Sequence, residues 1–207
     1  RSYIHRCQKD GVKIVMNCEV TPELIKEEKP DSVIIATGSK TLILPIEGID
    51  NPAIIHGSDL LDGKRAAGKK VLVVGGGMVG CETAAFLGEQ EHDVTVIEFR
   101  DTVGADVIHE HRVYLMKDFE DYGIKEITGA KVCKFYEDGV EYETADGVRH
   151  ESRGYDSVIL SMGFRNYNPL EEKIKDLVPE THVIGDAIRA RRALDATKEA
   201  YEVASRI

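Results

Sequence analysis

The fold is decided by the stretch Lys69 to Arg100, KKVLVVGGGMVGCETAAFLGEQEHDVTVIEFR. Its continuous apolar run over Val71 to Val74 is typical of a strand buried on both faces of a parallel sheet, and such a strand predicts helices on both sides. The apolar positions of a helix follow after a loop, and Asp93 to Glu98 then predicts a second strand. Strand, helix and strand together indicate an α/β fold.

The loop between the first strand and the helix carries the motif G-x-G-x-x-G. Gly75 permits the tight turn, Gly77 lets the backbone approach a pyrophosphate, and Gly80 lets the helix pack close to the strand. The free N–H groups at the helix start face the anion. A chance glycine-rich turn is the alternative, but the surrounding strands and helix argue against it. The predicted cofactor loop is Gly75, Gly76, Gly77, Met78, Val79 and Gly80.

The second strand ends in an acidic residue, Glu98. It follows the glycines by about 20 residues, the spacing at which a carboxylate accepts hydrogen bonds from the adenosine ribose. This carboxylate favours NAD over NADP, because a 2′-phosphate would meet a like charge. Phe99 and Arg100 complete this part of the predicted site, and Arg100 is the residue that could accommodate NADPH.

Length and composition limit the classes of protein. At 207 residues with 42% hydrophobic residues, the chain can bury a substantial core as one large or two small domains. A net charge of −10 argues against nucleic acid or an anionic membrane as the main partner. The absence of a membrane-length apolar run and of a secretion signal predicts a soluble protein. The first residue is Arg1 rather than Met, which predicts a piece of a longer polypeptide.

The cysteines do not form a C-x-x-C pair, so neither a redox disulfide nor a zinc knuckle is supported. Widely spaced thiols predict a reduced, cytoplasmic protein. Cys81 lies where the loop meets the helix, and we interpret it as a packing residue rather than a low-pKa thiol. The four cysteines are Cys7, Cys18, Cys81 and Cys133.

Catalytic side chains and metal ligands are not predicted. His109 and His111 are two residues apart on a predicted helix, so their side chains point in different directions and do not form a metal pair. Neither a Ser-His-Asp set nor a pair of carboxylates can be argued from spacing.

The remaining elements follow from periodicity and turn signals. Further strands are predicted within Gly11–Val20 and at Ser32–Ala36, Ser157–Leu160 and His182–Ile184. Helices are predicted at Arg1–Asp10, Thr21–Glu28, Asp106–Tyr122, Asn168–Lys175 and Ala193–Ile207. Hairpin signals at Asp138-Gly139 and Asp146-Gly147 predict an antiparallel meander of Ile124–Thr128, Lys131–Glu137, Val140–Thr144 and Val148–Glu151.

With these pieces placed, nearly the whole chain resembles the flavoprotein reductases of the pyridine nucleotide-disulfide oxidoreductase superfamily. It is most similar to the C-terminal FAD/NAD(P)-binding region of the 2,4-dienoyl-CoA reductase and enoate reductase (NADH:flavin oxidoreductase) family. The motifs that carry the resemblance are VIIATG ending at Gly38, GGGMVGCE ending at Glu82, VIE ending at Glu98, SVILSMG ending at Gly163 and HVIGD ending at Asp186.

The resemblance implies two interleaved domains. A Rossmann-like NAD-binding domain with a parallel sheet and an antiparallel β-meander, residues 51–163, is inserted in a truncated FAD-type Rossmann-like domain, residues 1–50 and 164–207. In the NAD domain, Gly163 would lie by the bound nucleotide and Glu82 near the nicotinamide end. A first-turn carboxylate that stabilises the helix N-terminus is the equal alternative for Glu82.

The resemblance also implies contacts to FAD. Gly185 and Asp186 match the residues that meet the FAD ribitol and pyrophosphate, whereas Asp186 as a cap of the following segment is the alternative. Ala36, Thr37 and Gly38 would lie where the domains meet. The family's first G-x-G-x-x-G, which holds FAD, has no counterpart in this sequence.

The predicted function is therefore the NADH-binding part, and a part of the FAD-binding region, of a flavin-dependent oxidoreductase. NAD(H) would bind this chain, FAD would bind the full-length protein, and FMN and an iron-sulfur cluster would lie upstream. Hydride from NADH would pass to FAD for an upstream centre or substrate, and this piece alone would be inactive. The predicted partners are dinucleotides and the missing N-terminal part, with a homo-oligomer left open. The alternatives are a non-catalytic NAD-sensing or interaction module and, third, a disulfide reductase.

Overall fold

The structure, a computed structural model, describes residues 2–207. Its helices are α1 (Ser2–Lys9), α2 (Pro22–Glu28), α3 (Gly57–Leu61), α4 (Met78–Glu89), α5 (His109–Asp121), α6 (Glu171–Ile174) and α7 (Ala193–Ala204). Its strands are β1 (Ser32–Ile35), β2 (Ser39–Thr41), β3 (Ile55–His56), β4 (Lys70–Val74), β5 (Asp93–Ile97), β6 (Lys125–Ile127), β7 (Lys131–Tyr136), β8 (Gly139–Glu143), β9 (Arg149–Ser152), β10 (Ser157–Leu160), β11 (Phe164–Asn166) and β12 (Glu180–Val183). The predicted helix start at Arg1 lies outside the described residues.

The chain divides into two compact units. Lys40–Arg165 forms the central unit, and the segments up to Ser39 and from Asn166 onward form the flanking unit. The strands β2 and β11 pair as a two-stranded sheet. The predicted insert, residues 51–163, lies within the central unit, and which nucleotide each unit binds stays a prediction.

The central unit is built on a parallel sheet of order β3-β10-β4-β5-β6. Its middle strand β4 places Val73 beside Val96 of β5 and Ile159 of β10. Val71 to Val74 are at most 1% exposed, so this strand is buried on both faces as the apolar run predicts. The mixed α/β fold class with a parallel sheet and antiparallel strands is thus confirmed.

Different secondary-structure elements pack against the two faces of this sheet. Val71 and Val73 belong to a core formed with helices α3, α4 and α5, whereas Leu72 and Val74 pack in a second core with Phe135 of β7. Alternate residues of a strand point to opposite faces, so one strand serves both cores. The prediction of helices on both sides is wrong here, because the antiparallel sheet β7-β8-β9 covers the second face.

The predicted four-stranded meander is wrong in its first strand. β6 pairs in parallel with β5, in the register Thr95 to Lys125, and so extends the central sheet. Only β7, β8 and β9 form the antiparallel meander. Local turn signals predict hairpins within a segment, but the pairing of β6 with a strand some thirty positions earlier is a tertiary effect that they do not contain.

The flanking unit has a small core of its own around Ile25, Ile35 and Ile174. Its strands β1 and β12 pair in parallel. The helix α2 begins as predicted, because Pro22 occupies its first position and the Thr21 hydroxyl accepts a hydrogen bond from the Leu24 N–H at 3.3 Å.

One predicted strand of the flanking unit is wrong. Residues 11–20 have no regular secondary structure, and Val15 and Met16 are 59% and 75% exposed. A strand needs a hydrogen-bonded neighbour, and within residues 2–207 this segment has none. The predicted helix over Asn168–Lys175 shortens to α6, because the Asn168 side chain accepts from the Glu171 N–H and forms the turn before it.

Candidate dinucleotide-binding site

The glycine loop lies at the carboxyl end of β4, where ligands of open α/β sheets bind. Gly75 has φ +105°, and a Cβ there would collide with the Ser161 carbonyl. A Cβ at Gly80 would overlap the Gly75 carbonyl oxygen, so α4 packs against the loop at a distance that only glycine permits. The roles that the motif assigns to these two glycines therefore have a steric basis in the fold.

Two backbone N–H groups of the loop donate to carboxylates. The Gly76 N–H donates to Oε2 of Glu98 at 2.6 Å, and the Met78 N–H donates to Oδ1 of Asp106 at 2.9 Å. Met78 is the first residue of α4, so its N–H is one of the donors that a helix start leaves without an intrahelical partner. Gly77, between these donors, has an ordinary φ of −73°, and the nearest atoms to a Cβ there would be those of the Asp106 carboxylate, from 3.3 Å.

The Glu98 carboxylate stands at the end of β5 and is held on both oxygens. In addition to the Gly76 contact, Oε1 accepts from the Arg100 N–H at 2.9 Å. Phe99, in contrast, is 69% exposed. Glu98 thus has a fixed position beside the loop, while its predicted contact with a ribose stays a prediction.

The segment after Glu98 folds back over the glycine loop. The Gly104 N–H donates to the Gly76 carbonyl at 2.7 Å, and Val103 is fully buried. Arg112 of α5 holds this segment through hydrogen bonds to the Thr102 hydroxyl at 2.9 Å and the Val103 carbonyl at 3.1 Å. These contacts place Asp106 at the start of α4.

Sequence reasoning missed the position of Asp106, because the periodic pattern assigns it to the predicted helix Asp106–Tyr122. The helix α5 instead begins at His109. The only available signal was an acidic residue ahead of the helix, which is also the pattern of an ordinary N-cap. The contact with Met78 spans 28 positions and is not local.

Glu82 and Gly163 lie near the loop in different elements. Glu82 is half-buried in the second turn of α4. Its alternative role as a first-turn carboxylate is wrong, because α4 has no acidic residue in that turn. Gly163 has φ +98° and follows β10. It lines a small cleft together with Thr41, Ser58, Val79, Ser161 and Phe164.

Cys81 is a packing residue, as the sequence interpretation favours. It is fully buried, and its thiol donates to the Gly76 carbonyl at 3.3 Å. Burial raises the pKa of the Cys81 thiol to about 12, so almost none of it is thiolate at neutral pH.

The predicted FAD-contacting residues lie in the flanking unit. Asp186 accepts from the Ser39 hydroxyl at 3.2 Å and from the Arg191 N–H at 3.0 Å. The second bond shows that its side chain holds the following segment, which was the alternative role. Thr37 donates to the Tyr167 carbonyl, and the Gly38 carbonyl accepts from the Tyr167 N–H. The residues after β1 are therefore bonded to Tyr167, which directly follows β11.

The remaining two residues of that set, Ala36 and Gly185, flank these contacts. Gly185 opens a 3₁₀ turn, Gly185–Ala187, and its N–H donates to Glu199 of α7 at 2.7 Å. Ala36 directly follows the last residue of β1 and is exposed. Contact of any of these residues with FAD stays a prediction.

The parallel sheet, the glycine loop at its carboxyl edge and the acidic end of β5 define a dinucleotide-binding protein. The family model described as pyridine nucleotide-disulphide oxidoreductase matches residues 4–182, and the chain belongs to this family. NAD(H) and FAD are the cofactors of the family, as predicted.

Several relatives resemble the enoate and dienoyl-CoA reductases, which confirms the predicted subfamily. The cinnamate reductase of Clostridium sporogenes is 31% identical over 95% of this chain and 30% of its own length. The NADH oxidase of Thermoanaerobacter brockii is 32% identical over 95% of this chain and 31% of its own. A solved structure of a 2-naphthoyl-CoA reductase complex matches with a TM-score of 0.91 and 31% identity, over 99% of this chain and 31% of that one.

The chain thus spans just under a third of the length of these relatives. Among the described residues, none of the helices is long and apolar enough to cross a membrane.

Proposed function

We propose that this chain is the NADH-binding part, and a part of the FAD-binding region, of a flavin-dependent oxidoreductase. When bound, NADH supplies a hydride from its nicotinamide C4 and FAD accepts it at N5, for onward reduction of another centre or a substrate. The observation that carries the proposal is the glycine loop at the N-terminus of α4, with Glu98 fixed beside it.

The loop fits a pyrophosphate in its steric requirements. A Cβ at Gly77 would lie in front of the helix start, within 3.3 Å of the Asp106 carboxylate. The Met78 N–H at this start points toward that carboxylate, so it is already oriented to bind an anion. Met78 and Val79 are the first two residues of α4 and would hold the pyrophosphate through their N–H groups.

Selection of NADH over NADPH rests on Glu98. Two backbone N–H donors, one on each oxygen, fix the position and direction of this carboxylate. A ribose hydroxyl can donate to such an oxygen, whereas a 2′-phosphate would be repelled by it. Arg100 lies next to this carboxylate and is exposed, so it is the position from which a 2′-phosphate could be neutralised.

The rest of the flavin site is proposed to come from other parts of a longer polypeptide. The sequence has one G-x-G-x-x-G, and it belongs to the central unit. Asp186 and the Ala36–Gly38 segment would add contacts to FAD, but backbone donors around its pyrophosphate need a second such loop. Relatives about three times as long have room for that loop and for an acceptor centre.

The protein's task in this scheme is orientation rather than acid–base chemistry. The bound cofactors would supply the redox chemistry, and the residues of this chain would hold and orient the nucleotide for it. Glu82, half-buried in α4, is proposed to lie at the nicotinamide end, and Gly163 beside the nucleotide.

A disulfide reductase finds no support in the thiols. No C-x-x-C pair occurs in the sequence, and all four cysteines are free in the structure. Cys81, which lies closest to the glycine loop, is buried with a raised pKa.

Anaerobic mixing of the full-length protein with NADH tests the proposal. We expect the flavin absorbance to bleach, and we expect Gly77→Ala to slow this reaction by weakening NADH binding. Gly77 has an ordinary φ, so the variant should fold, which its circular dichroism would verify. Binding of NADH without flavin reduction would favour an NAD-sensing module instead.

A further inference from the structure

The N-terminus of α4 is occupied by a carboxylate of the same chain. Oδ1 of Asp106 accepts the Met78 N–H at 2.9 Å, in the position where an anionic ligand of this loop would accept it. The neighbouring donor, the Gly76 N–H, is taken by Glu98 at 2.6 Å. Two backbone donors of the loop are therefore already bound to side-chain carboxylates.

The two carboxylates differ in how they are held. Glu98 is fixed on both oxygens by backbone N–H groups and sits directly at the end of a buried strand. Asp106 is exposed, and within residues 2–207 its carboxylate accepts one hydrogen bond, from the Met78 N–H. Its backbone follows Gly104, which has a left-handed φ of +62°, in a stretch without regular secondary structure. Asp106 can therefore leave its donor at much lower cost than Glu98.

We propose that Asp106 competes with the dinucleotide pyrophosphate for the start of α4, and that NADH binding displaces it. This inference rests on the proposed function of the loop. A pyrophosphate oxygen and a carboxylate oxygen cannot both accept the Met78 N–H in its preferred direction, and two anions at one helix end repel each other. The binding affinity for NADH is therefore lower than the loop alone would give.

The size of this effect follows from the population of the open arrangement. In the closed arrangement Asp106 accepts the Met78 N–H, and in the open arrangement it has left this donor. An anion at a helix N-terminus is stabilised enough to favour the closed arrangement about fivefold. The apparent affinity for NADH falls by about the same factor. Asp106→Asn keeps the shape and an acceptor oxygen but removes the charge, and Asp106→Ala removes the acceptor as well. We expect NADH to bind about threefold more tightly to the first variant and about fivefold more tightly to the second.

The experiment is calorimetric titration of NADH into the 207-residue chain and its variants. Asp101→Asn is the matched control, because Asp101 lies in the same segment and carries the same charge but does not bond to the loop. Its affinity should stay within twofold of the parent. Asp106→Glu restores the charge, and its affinity should return toward that of the parent even if Asp106→Ala is less stable.

A second readout reports the contact itself. In ¹⁵N spectra recorded without NADH, the Met78 amide should shift in Asp106→Asn and remain in place in Asp101→Asn. Unchanged or weaker NADH binding by both Asp106 variants overturns the competition, while NADH binding by the parent still supports the proposed function. A parent chain that does not bind NADH overturns both proposals. If Asp101→Asn bound NADH more tightly by the same factor, the gain in affinity would come from net charge alone, and this result also overturns the inference.

Discussion

The proposed preference for NADH over NADPH rests on one carboxylate, that of Glu98, and Glu98→Gln tests it. Glu98 is half-buried and receives the Gly76 and Arg100 N–H groups at 2.6 and 2.9 Å, so its charge does not move away from a ligand. The glutamine variant keeps the size and one acceptor oxygen, and it loses the negative charge.

The magnitude follows from Coulomb's law. A 2′-phosphate carries a charge of about −1.5 to −2, and two unit charges about 4 Å apart interact by about 1 kcal/mol in water and about 4 kcal/mol near a protein surface. Solvent screens a half-exposed pair, so we take about 1 to 3 kcal/mol, which is roughly a tenfold to hundredfold preference. Glu98→Gln should reduce the ratio of the NADPH and NADH dissociation constants by about tenfold.

Titration calorimetry with both nucleotides measures this ratio. Glu110→Gln, in the first turn of α5, changes the net charge equally without touching the bonds that Glu98 makes to Gly76 and Arg100, and it should leave the ratio unchanged. Equal or tighter NADPH binding by the parent chain, or an unchanged ratio in Glu98→Gln, would refute the reasoning.

Four further predictions concern the thiols, the flavin and the fold. Replacing all four cysteines by serine in the full-length protein should leave flavin reduction by NADH largely intact, and a loss of reduction without unfolding would contradict this. In the native chain at neutral pH, a thiol reagent should modify exposed Cys18 and reach Cys81 only after unfolding, because the raised pKa and burial of Cys81 prevent reaction. The purified chain should be colourless and bind FAD weakly or not at all, and tightly bound flavin in its absorbance spectrum would disprove this. It should also self-associate through the exposed segment 11–20, and a monomer at high concentration in sedimentation would disprove that. Gly80→Ala should destabilise the chain by about 2 kcal/mol or more in urea unfolding, because its Cβ would overlap the Gly75 carbonyl, and an unchanged midpoint would contradict the packing argument.

The part of the fold that the sequence predicts well is the part with strong local signals. The apolar run of β4, the glycines and the acidic residue after β5 lie in one continuous stretch, and the structure has the strands and the helix where that stretch predicts them. The Thr21-Pro22 helix start is a similar case, since its capping hydrogen bond joins residues three positions apart.

The errors concern pairing across long distances. Nothing in Lys125–Ile127 itself distinguishes a parallel neighbour of β5 from a hairpin strand. The two-residue edge strand β3 was not predicted at all, because it is too short for a periodic signal and exists only through its pairing with β10. Residues 11–20 have the composition of a strand, but a strand forms only where a neighbour is available.

The candidate site shows the same division. The glycine motif and Glu98 are visible in the sequence because their chemistry depends on residue type and spacing. The hydrogen bond from the Met78 N–H to Asp106 cannot be predicted from the sequence, because it depends on how residues 99–108 fold back over the loop.

The most direct test of the account is an experimental structure of this chain with NADH. We predict that the pyrophosphate lies at the N–H groups of Met78 and Val79, that the adenosine ribose donates to Glu98, and that Asp106 has moved away from Met78. A nucleotide bound elsewhere, with the Asp106 contact intact and the glycine loop untouched, would contradict the central claim.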